Sequence, residues 1–212
     1  MSDSNEARFE AAFAQLPLVA ILRGIGPSDA LGVGTALVDA GWRLIEVPLN
    51  SPEPIESIAR LIERLPDAFV GAGTVMDAEA VRRVHAAGGR FVVAPNFDPA
   101  VVRAACELGL VALPGVMTPS EAFAALGAGA AALKLFPAEM IPPEAVKAMR
   151  AVLDPAVKLI PVGGISPAKM APYRAAGAAG FGIGSALYKP GTPADEVGRI
   201  AGEWTAAYRA LP

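Results

Sequence analysis

Two charged residues stand inside stretches that are otherwise apolar. Lys134 lies in Ala131-Ala132-Leu133-Lys134-Leu135-Phe136, and Glu46 in Leu44-Ile45-Glu46-Val47-Pro48-Leu49. A charge within such a run is costly unless it is paired or put to use. If each stretch is a β-strand, alternation sets Lys134 on the face opposite Leu133 and Leu135, and Glu46 on the face opposite Ile45 and Val47. Desolvation disfavours the ammonium form of a lysine and frees a nucleophilic amine. A carboxyl group nearby could protonate the hydroxyl that leaves a carbinolamine, then take a substrate hydroxyl proton as a C–C bond breaks. The same two residue types also allow a purely structural Lys–Glu pair.

Other polar groups fall at the ends of similar runs. Arg23 could hold a carboxylate through both arms of its guanidinium, or could be a rim arginine facing solvent. Thr74, in Gly71-Ala72-Gly73-Thr74-Val75, could hydrogen-bond the same carboxylate, or could be a cap or turn residue. Two glycine clusters close the chain's last two apolar runs: Val162-Gly163-Gly164-Ile165 and Gly182-Ile183-Gly184-Ser185-Ala186. Glycines let backbone N–H groups close on an anion, and a following helix start adds its dipole. Ordinary tight turns are the alternative. One histidine, His85, and one cysteine, Cys106, cannot furnish the usual transition-metal site, and no motif suggests a carboxylate-bound magnesium. No metal and no cofactor is therefore expected. An imine on Lys134 is preferred to a metal enolate as the electron sink.

Something must bring these scattered groups together. Eight short apolar runs recur along the chain, at 18–23, 43–48, 69–73, 90–94, 110–114, 131–135, 158–162 and 180–183. Helical patterns lie between and after them, at 27–41, 52–65, 77–88, 98–108, 118–128, 143–153, 167–177 and 193–209, with an extra helix at 5–15. Capping residues before proline mark helix starts in Ser51-Pro52-Glu53, Asp98-Pro99, Thr118-Pro119 and Ser166-Pro167. Glycines mark the stops in Ala40-Gly41, Ala87-Gly88, Leu108-Gly109 and Ala176-Gly177. Repeated βα units with no linker predict one domain over 1–212, an α/β (β/α)8 (TIM) barrel with residues 1–16 as an N-terminal helix packed on it. A doubly wound open sheet is the competing fold, but Arg23-Gly24-Ile25-Gly26 lacks the third glycine of a dinucleotide turn. In a barrel the active site lies at the C-terminal strand ends, and the loops after the last two strands are its recurrent phosphate site. Arg23, Glu46, Thr74, Lys134 and both glycine clusters all fall at such ends.

Composition narrows the functional classes. Hydrophobic residues make up 53% and charged residues 18%, which suits strands buried on both faces and argues against disorder. Net charge is −3 and no basic block occurs, so nucleic acid is not an expected partner. The most apolar stretch, 122–132, is too short to span a bilayer. Residues 1–6 lack a basic region followed by an apolar one, so no signal peptide is expected and a cytoplasmic location follows. Cys106 reads as a helix core position.

The set resembles the 2-keto-3-deoxy-6-phosphogluconate/6-phosphogalactonate aldolase family of class I, Schiff-base enzymes. The phrases that carry the resemblance are Ile21-Leu22-Arg23-Gly24, Ile45-Glu46-Val47-Pro48-Leu49-Asn50-Ser51-Pro52, Gly71-Ala72-Gly73-Thr74-Val75, Ala94-Pro95-Asn96, Leu113-Pro114-Gly115, Leu133-Lys134-Leu135-Phe136-Pro137, Val162-Gly163-Gly164-Ile165 and Gly182-Ile183-Gly184-Ser185. They run in the family's order over about residues 16 to 190. The resemblance implies that Lys134 forms the imine and that Glu46 is the general acid/base. It implies that Arg23 and Thr74 hold the pyruvate carboxylate, that Pro95, Phe136 and Val162 touch the substrate, and that Gly163, Gly164, Gly184 and Ser185 bind its phosphate. It further implies a homotrimer acting on a phosphorylated keto-deoxy sugar acid. Many phosphogluconate enzymes of the family have Thr before the Gly-Gly pair. Val162 stands there in this chain, which places it nearer the phosphogalactonate branch. Two other readings remain: another phosphate-binding barrel enzyme, such as a transferase or isomerase, and a non-catalytic sugar-phosphate-binding module.

Overall fold

The computed structural model describes residues 4–211. Residues 1–3, part of the stretch considered for a leader and of the N-terminal helix segment, and residue 212 lie outside the described residues. In chain order the elements are α1 (Asn5–Gln15), β1 (Leu18–Ile21), α2 (Pro27–Asp39), β2 (Leu44–Pro48), α3 (Pro54–Arg64), β3 (Phe69–Gly73), α4 (Ala78–Ala86), β4 (Phe91–Val93), α5 (Pro99–Glu107), β5 (Val111–Leu113), β6 (Gly115–Val116), α6 (Pro119–Gly127), β7 (Ala132–Leu135), α7 (Pro143–Arg150), β8 (Lys158–Pro161), α8 (Pro167–Ala175), β9 (Phe181–Ile183) and α9 (Ala194–Arg209). A short 3-10 turn, Ala138–Met140, follows β7.

Every strand pairing is parallel, in the orders β5-β4-β3-β2-β1-β9 and β6-β7-β8. The result is a curled parallel sheet covered by helices. Its register places Ile21, Glu46 and Gly71 side by side on β1, β2 and β3, and Gly115, Lys134 and Ile160 side by side on β6, β7 and β8.

Alternation along the strands divides the apolar residues into two clusters. Leu18, Ala20, Ile45, Val47, Leu133, Leu135 and Leu159 pack with the helices. Val19, Ile21, Leu44, Phe69, Phe91, Val93, Val111, Ala132 and Ile160 form a second cluster on the concave face. Glu46 and Lys134 share the concave parity of Leu44 and Ala132. Helix α1 closes the N-terminal end of that face. Its Phe9 stands 6.0 Å from Phe69, which stacks on Phe91 at 5.5 Å.

Four expectations need correction. The run at 110–114 becomes two strands, because Pro114 has no N–H to give and the chain changes partners there, from β4 before it to β7 after it. Ser51 and Pro52 do not start α3; Pro54 does, after Glu53 in a left-handed conformation, while the Ser51 hydroxyl accepts from Gly24 N at 2.9 Å. Ser166 precedes α8 but makes no side-chain cap bond, whereas Asp98 caps α5 and Thr118 forms a reciprocal capping box with Glu121. Cys106 is in a helix but not in the core: α5 buries Val101, Val102, Ala104 and Ala105, and Cys106 falls on the other side, exposed, with Sγ donating to Gly129 O at 3.3 Å.

Glycines on the concave face are dictated by crowding. A Cβ on Gly71 would land on the Phe91 carbonyl oxygen and within 2.7 Å of its ring. Gly71→Ala should therefore destabilise the protein by roughly 1–3 kcal/mol, the usual cost of overpacking. Urea unfolding measures this, and an unchanged midpoint would show that β3 and β4 can separate freely.

Candidate active site

Glu46 is 1% exposed and Lys134 5% exposed. Their strands are distant in the sheet order, yet each residue acts electrostatically on the other. They are not among the three ion pairs of the described residues, and Glu46 Oε1 is buried without a hydrogen-bond partner. A closed structural Lys–Glu bridge is therefore not what this arrangement provides. Burial lowers the Lys134 ammonium below the ordinary lysine range; Glu46 opposes that and Arg23 adds to it. Burial likewise raises the Glu46 carboxyl, against the pull of Lys134 and Arg23. Desolvation dominates in both, so both groups are driven toward their neutral forms, an amine and a carboxylic acid. Lys134 Nζ lies 4.8 Å from the centre of the Phe136 ring, so the amine has an aromatic wall.

Arg23 is exposed on the rim, as the blander expectation had it, but it is held. Leu22 N donates to Glu46 O at 2.9 Å and Gly24 N to Ser51 Oγ at 2.9 Å, fixing the backbone on both sides. Its guanidinium donates to Asn50 Oδ1 at 2.7 Å and to Thr74 Oγ1 at 3.4 and 3.5 Å. Thr74 has φ 55°, a left-handed conformation that side chains disfavour. The structure thus brings Arg23 and Thr74 together. Asn50 was missed as a site residue. It follows the Glu46 run directly, just before the Ser51-Pro52-Glu53 stretch.

Phe136, Val162, Gly163, Gly164, Gly184, Ser185 and Arg23 line one cavity of about 310 Å3, together with Ile21 and Gly182. The arginine end and both glycine clusters therefore face the same space. Val162 reaches it as a nearly buried side chain; a Cβ on Gly182 would stand 2.7 Å from its Cγ2. Gly163 and Gly164 have φ 111° and 58°. Pro95, at the end of β4, is half-buried, and its carbonyl oxygen occupies the position a Cβ on Gly115 would take. Pro95 does not line this cavity. A larger cavity, about 520 Å3, lies by Phe13, Arg150, Lys158 and Arg174. It adjoins the start of β8, away from the strand ends, and its two arginines are spent on backbone carbonyls. Lys134 and Glu46 do not line the smaller cavity; Phe136, whose ring stands beside the Lys134 amine, does.

Residues 9–201 match the family model of the KDPG and KHG aldolases. The chain belongs to that family. It is an aldolase. It is 47% identical over 92% of both chains to the probable 2-dehydro-3-deoxy-6-phosphogalactonate aldolase of Rhizobium meliloti. It is 42% identical to the 2-dehydro-3-deoxy-6-phosphogalactonate aldolase of Escherichia coli K12, over 92% of this chain and 96% of that one. A solved structure described as native KDPGal superposes with a TM-score of 0.90 at 42% identity, covering 92% of this chain and 95% of that one.

The unpaired Glu46 carboxyl should cost stability. Its folded proton affinity is raised, so folding takes up a proton. The penalty is absent below the unfolded carboxyl range and grows as pH rises from there toward the folded value. Glu46→Gln should remove that slope. The variant should gain in Tm relative to the parent between pH 5 and pH 8, and differ little at pH 4. A Tm difference that is constant or shrinks with rising pH would contradict the burial assigned to Glu46.

Proposed function

We propose that this aldolase cleaves 2-keto-3-deoxy-6-phosphogalactonate reversibly to pyruvate and glyceraldehyde 3-phosphate through a Schiff base on Lys134. The observation that carries the proposal is a buried lysine, biased toward its neutral amine, close enough to a buried glutamic acid with an unengaged Oε1 for each to act electrostatically on the other. The amine adds to the C2 carbonyl. Protonated Glu46 gives its proton to the departing hydroxyl, which leaves as water, and an iminium forms. Glu46, now a carboxylate, takes the proton of the C4 hydroxyl as the C3–C4 bond breaks. Glyceraldehyde 3-phosphate leaves, and the electron pair of the broken bond rests in the enamine. Glu46 returns its proton to C3, and water releases pyruvate. Arg23 and Thr74 fit the carboxylate of the bound acid, Phe136 walls the imine, Pro95 and Val162 meet the carbon chain, and Gly163, Gly164, Gly184 and Ser185 receive the phosphate.

The wider frame of the proposal is a single (β/α)8 barrel domain acting as a cytoplasmic homotrimer. Closure of the sheet is supported by the bridge between Val162 and Gly182 and by the bonds Ala179 N to Leu159 O and Ala131 N to Ala112 O, which link the two strand groups. Self-association is supported by exposed Met76, Met117 and Met140, which lie in the connections after β3, β6 and β7, and by exposed Phe123 of α6. No described helix is long and apolar enough to cross a membrane.

Borohydride reduction with pyruvate should add a lactyl-sized mass to the peptide that contains Lys134. Labelling at another lysine, or none, refutes the mechanism. Glu46→Gln should retain trapping but slow turnover by ~10²–10⁴-fold, the usual range for a general acid/base. EDTA should leave activity intact, whereas loss restored by a divalent ion would favour an enolate on a metal.

The epimer follows from Val162. A threonine there could donate to one configuration of a substrate hydroxyl, and valine cannot. Such a bond discriminates strongly because the wrong epimer leaves its partner unpaired. The parent should prefer the galactonate type. Val162→Thr should move the kcat/KM ratio toward the gluconate type by about 1–2 kcal/mol, near the worth of one net hydrogen bond. A parent that prefers the gluconate type, or a ratio that stays put, makes Val162 mere packing.

A further inference from the structure

The glycine turn after β8 is flanked by two charged side chains that the mechanism does not use. Glu139 reaches it from the 3-10 turn after β7. A Cβ on Gly163 would land on Glu139 Oε2, and one on Gly164 would stand 2.9 Å from its Cγ and Oε1. Lys169, in the first turn of α8, donates from Nζ to Gly164 O at 2.7 Å. Neither residue lines the cavity into which this turn points. We propose that Glu139 and Lys169 are positioning residues that clamp the Gly163–Gly164 turn and thereby set the enzyme's grip on the phosphate of its substrate. The inference rests on that turn being the phosphate end of the site, as argued above.

Three observations support a built clamp. Glu139 is exposed, but the backbone that presents it is tied down. Ala138 N donates to Val162 O at 2.9 Å, and the buried Tyr173 hydroxyl donates to Ala138 O at 2.9 Å and lies 3.0 Å from Ile141 O. The two glycines are needed twice over: they supply the positive φ values, and their bare α-carbons leave the space the carboxylate occupies. Finally, a carboxylate beside a phosphate turn would repel the dianion. An ammonium bonded to the same glycine offsets that charge without pairing with the carboxylate directly, and its bond polarises the Gly164–Ile165 peptide so that Ile165 N–H is the stronger donor. Glu139 thus acts by filling space, and Lys169 by charge and hydrogen bonding. Glu139 is also only five residues from Lys134, so one short connection carries the imine lysine and braces the opposite end of the substrate.

The test uses the full-length enzyme and its phosphorylated substrate. Glu139→Ala should raise KM about tenfold, near the loss of one net interaction, with kcat within about threefold of the parent. Glu139→Gln, which keeps the shape, should restore the parental KM. Lys169→Met should also raise KM, and adding Glu139→Gln to Lys169→Met should recover part of the loss by removing the uncompensated charge. Borohydride trapping of pyruvate should be unchanged in every variant. The clamp is refuted if Glu139→Ala leaves KM alone, if Glu139→Gln behaves like Glu139→Ala, if the double variant recovers nothing, or if trapping falls in step with KM. A parent that traps no pyruvate or ignores the substrate's phosphate would refute the aldolase assignment itself, an outcome distinct from a normal parent with silent variants.

Discussion

Two ionisable groups share a low-dielectric interior without neutralising each other by direct contact. That constraint organises the molecule. An ammonium and a carboxylate at hydrogen-bond distance would be a stable but unreactive pair, and either one alone would be driven neutral by burial. Here each is dehydrated by the strands around it and only partly compensated by the other. The apolar residues on both faces of the sheet are what keep water away. Leu133 and Leu135 fix the lysine strand against the helices, and Ile45 and Val47 do the same for the glutamate strand. Reactivity is bought with burial, and the rest of the fold sustains that burial.

The second organising feature is where side chains are missing. Gly71, Gly73 and Gly182 stand on the concave face because their neighbours need the room. A Cβ on Gly73 would collide with the Glu46 carboxyl, and one on Gly182 would meet Val162 and Ile21. A strand rich in glycine is weak by itself. It is tolerated here because both neighbouring strands in the sheet supply hydrogen bonds and because large residues on them fill the gaps, Phe91 of β4 beside Gly71 and Glu46 of β2 beside Gly73.

Much of this was legible in the sequence because parity in a buried strand is unforgiving. A single charged residue between two leucines or two aliphatics can point only one way, and Lys134 and Glu46 point where alternation put them. The helix–glycine–strand phrase gave the element order for the same reason. What stayed hidden depended on contacts between distant segments. Asn50 becomes a partner of Arg23 only when β1 and β2 lie side by side. Ser51 looked like a helix cap because its hydroxyl is suited to that, but Gly24 N claims it first. Cys106 was misplaced because an apolar residue type in an apolar helix does not say which face is buried; Val101, Val102, Ala104 and Ala105 take that face. The break at Pro114 was foreseeable from the missing N–H alone, but where the chain would find new partners was not.

Helix α1 has a consequence of its own. Phe9 and Phe13 plug one end of the concave face, in contact with the aromatic layer of Phe69 and Phe91. That end of the concave face is therefore shut by side chains, and the loops beyond the opposite strand ends are left as the side on which a ligand is met. On the mechanism proposed above, the fragment bonded to Lys134 would then leave after the fragment that is not.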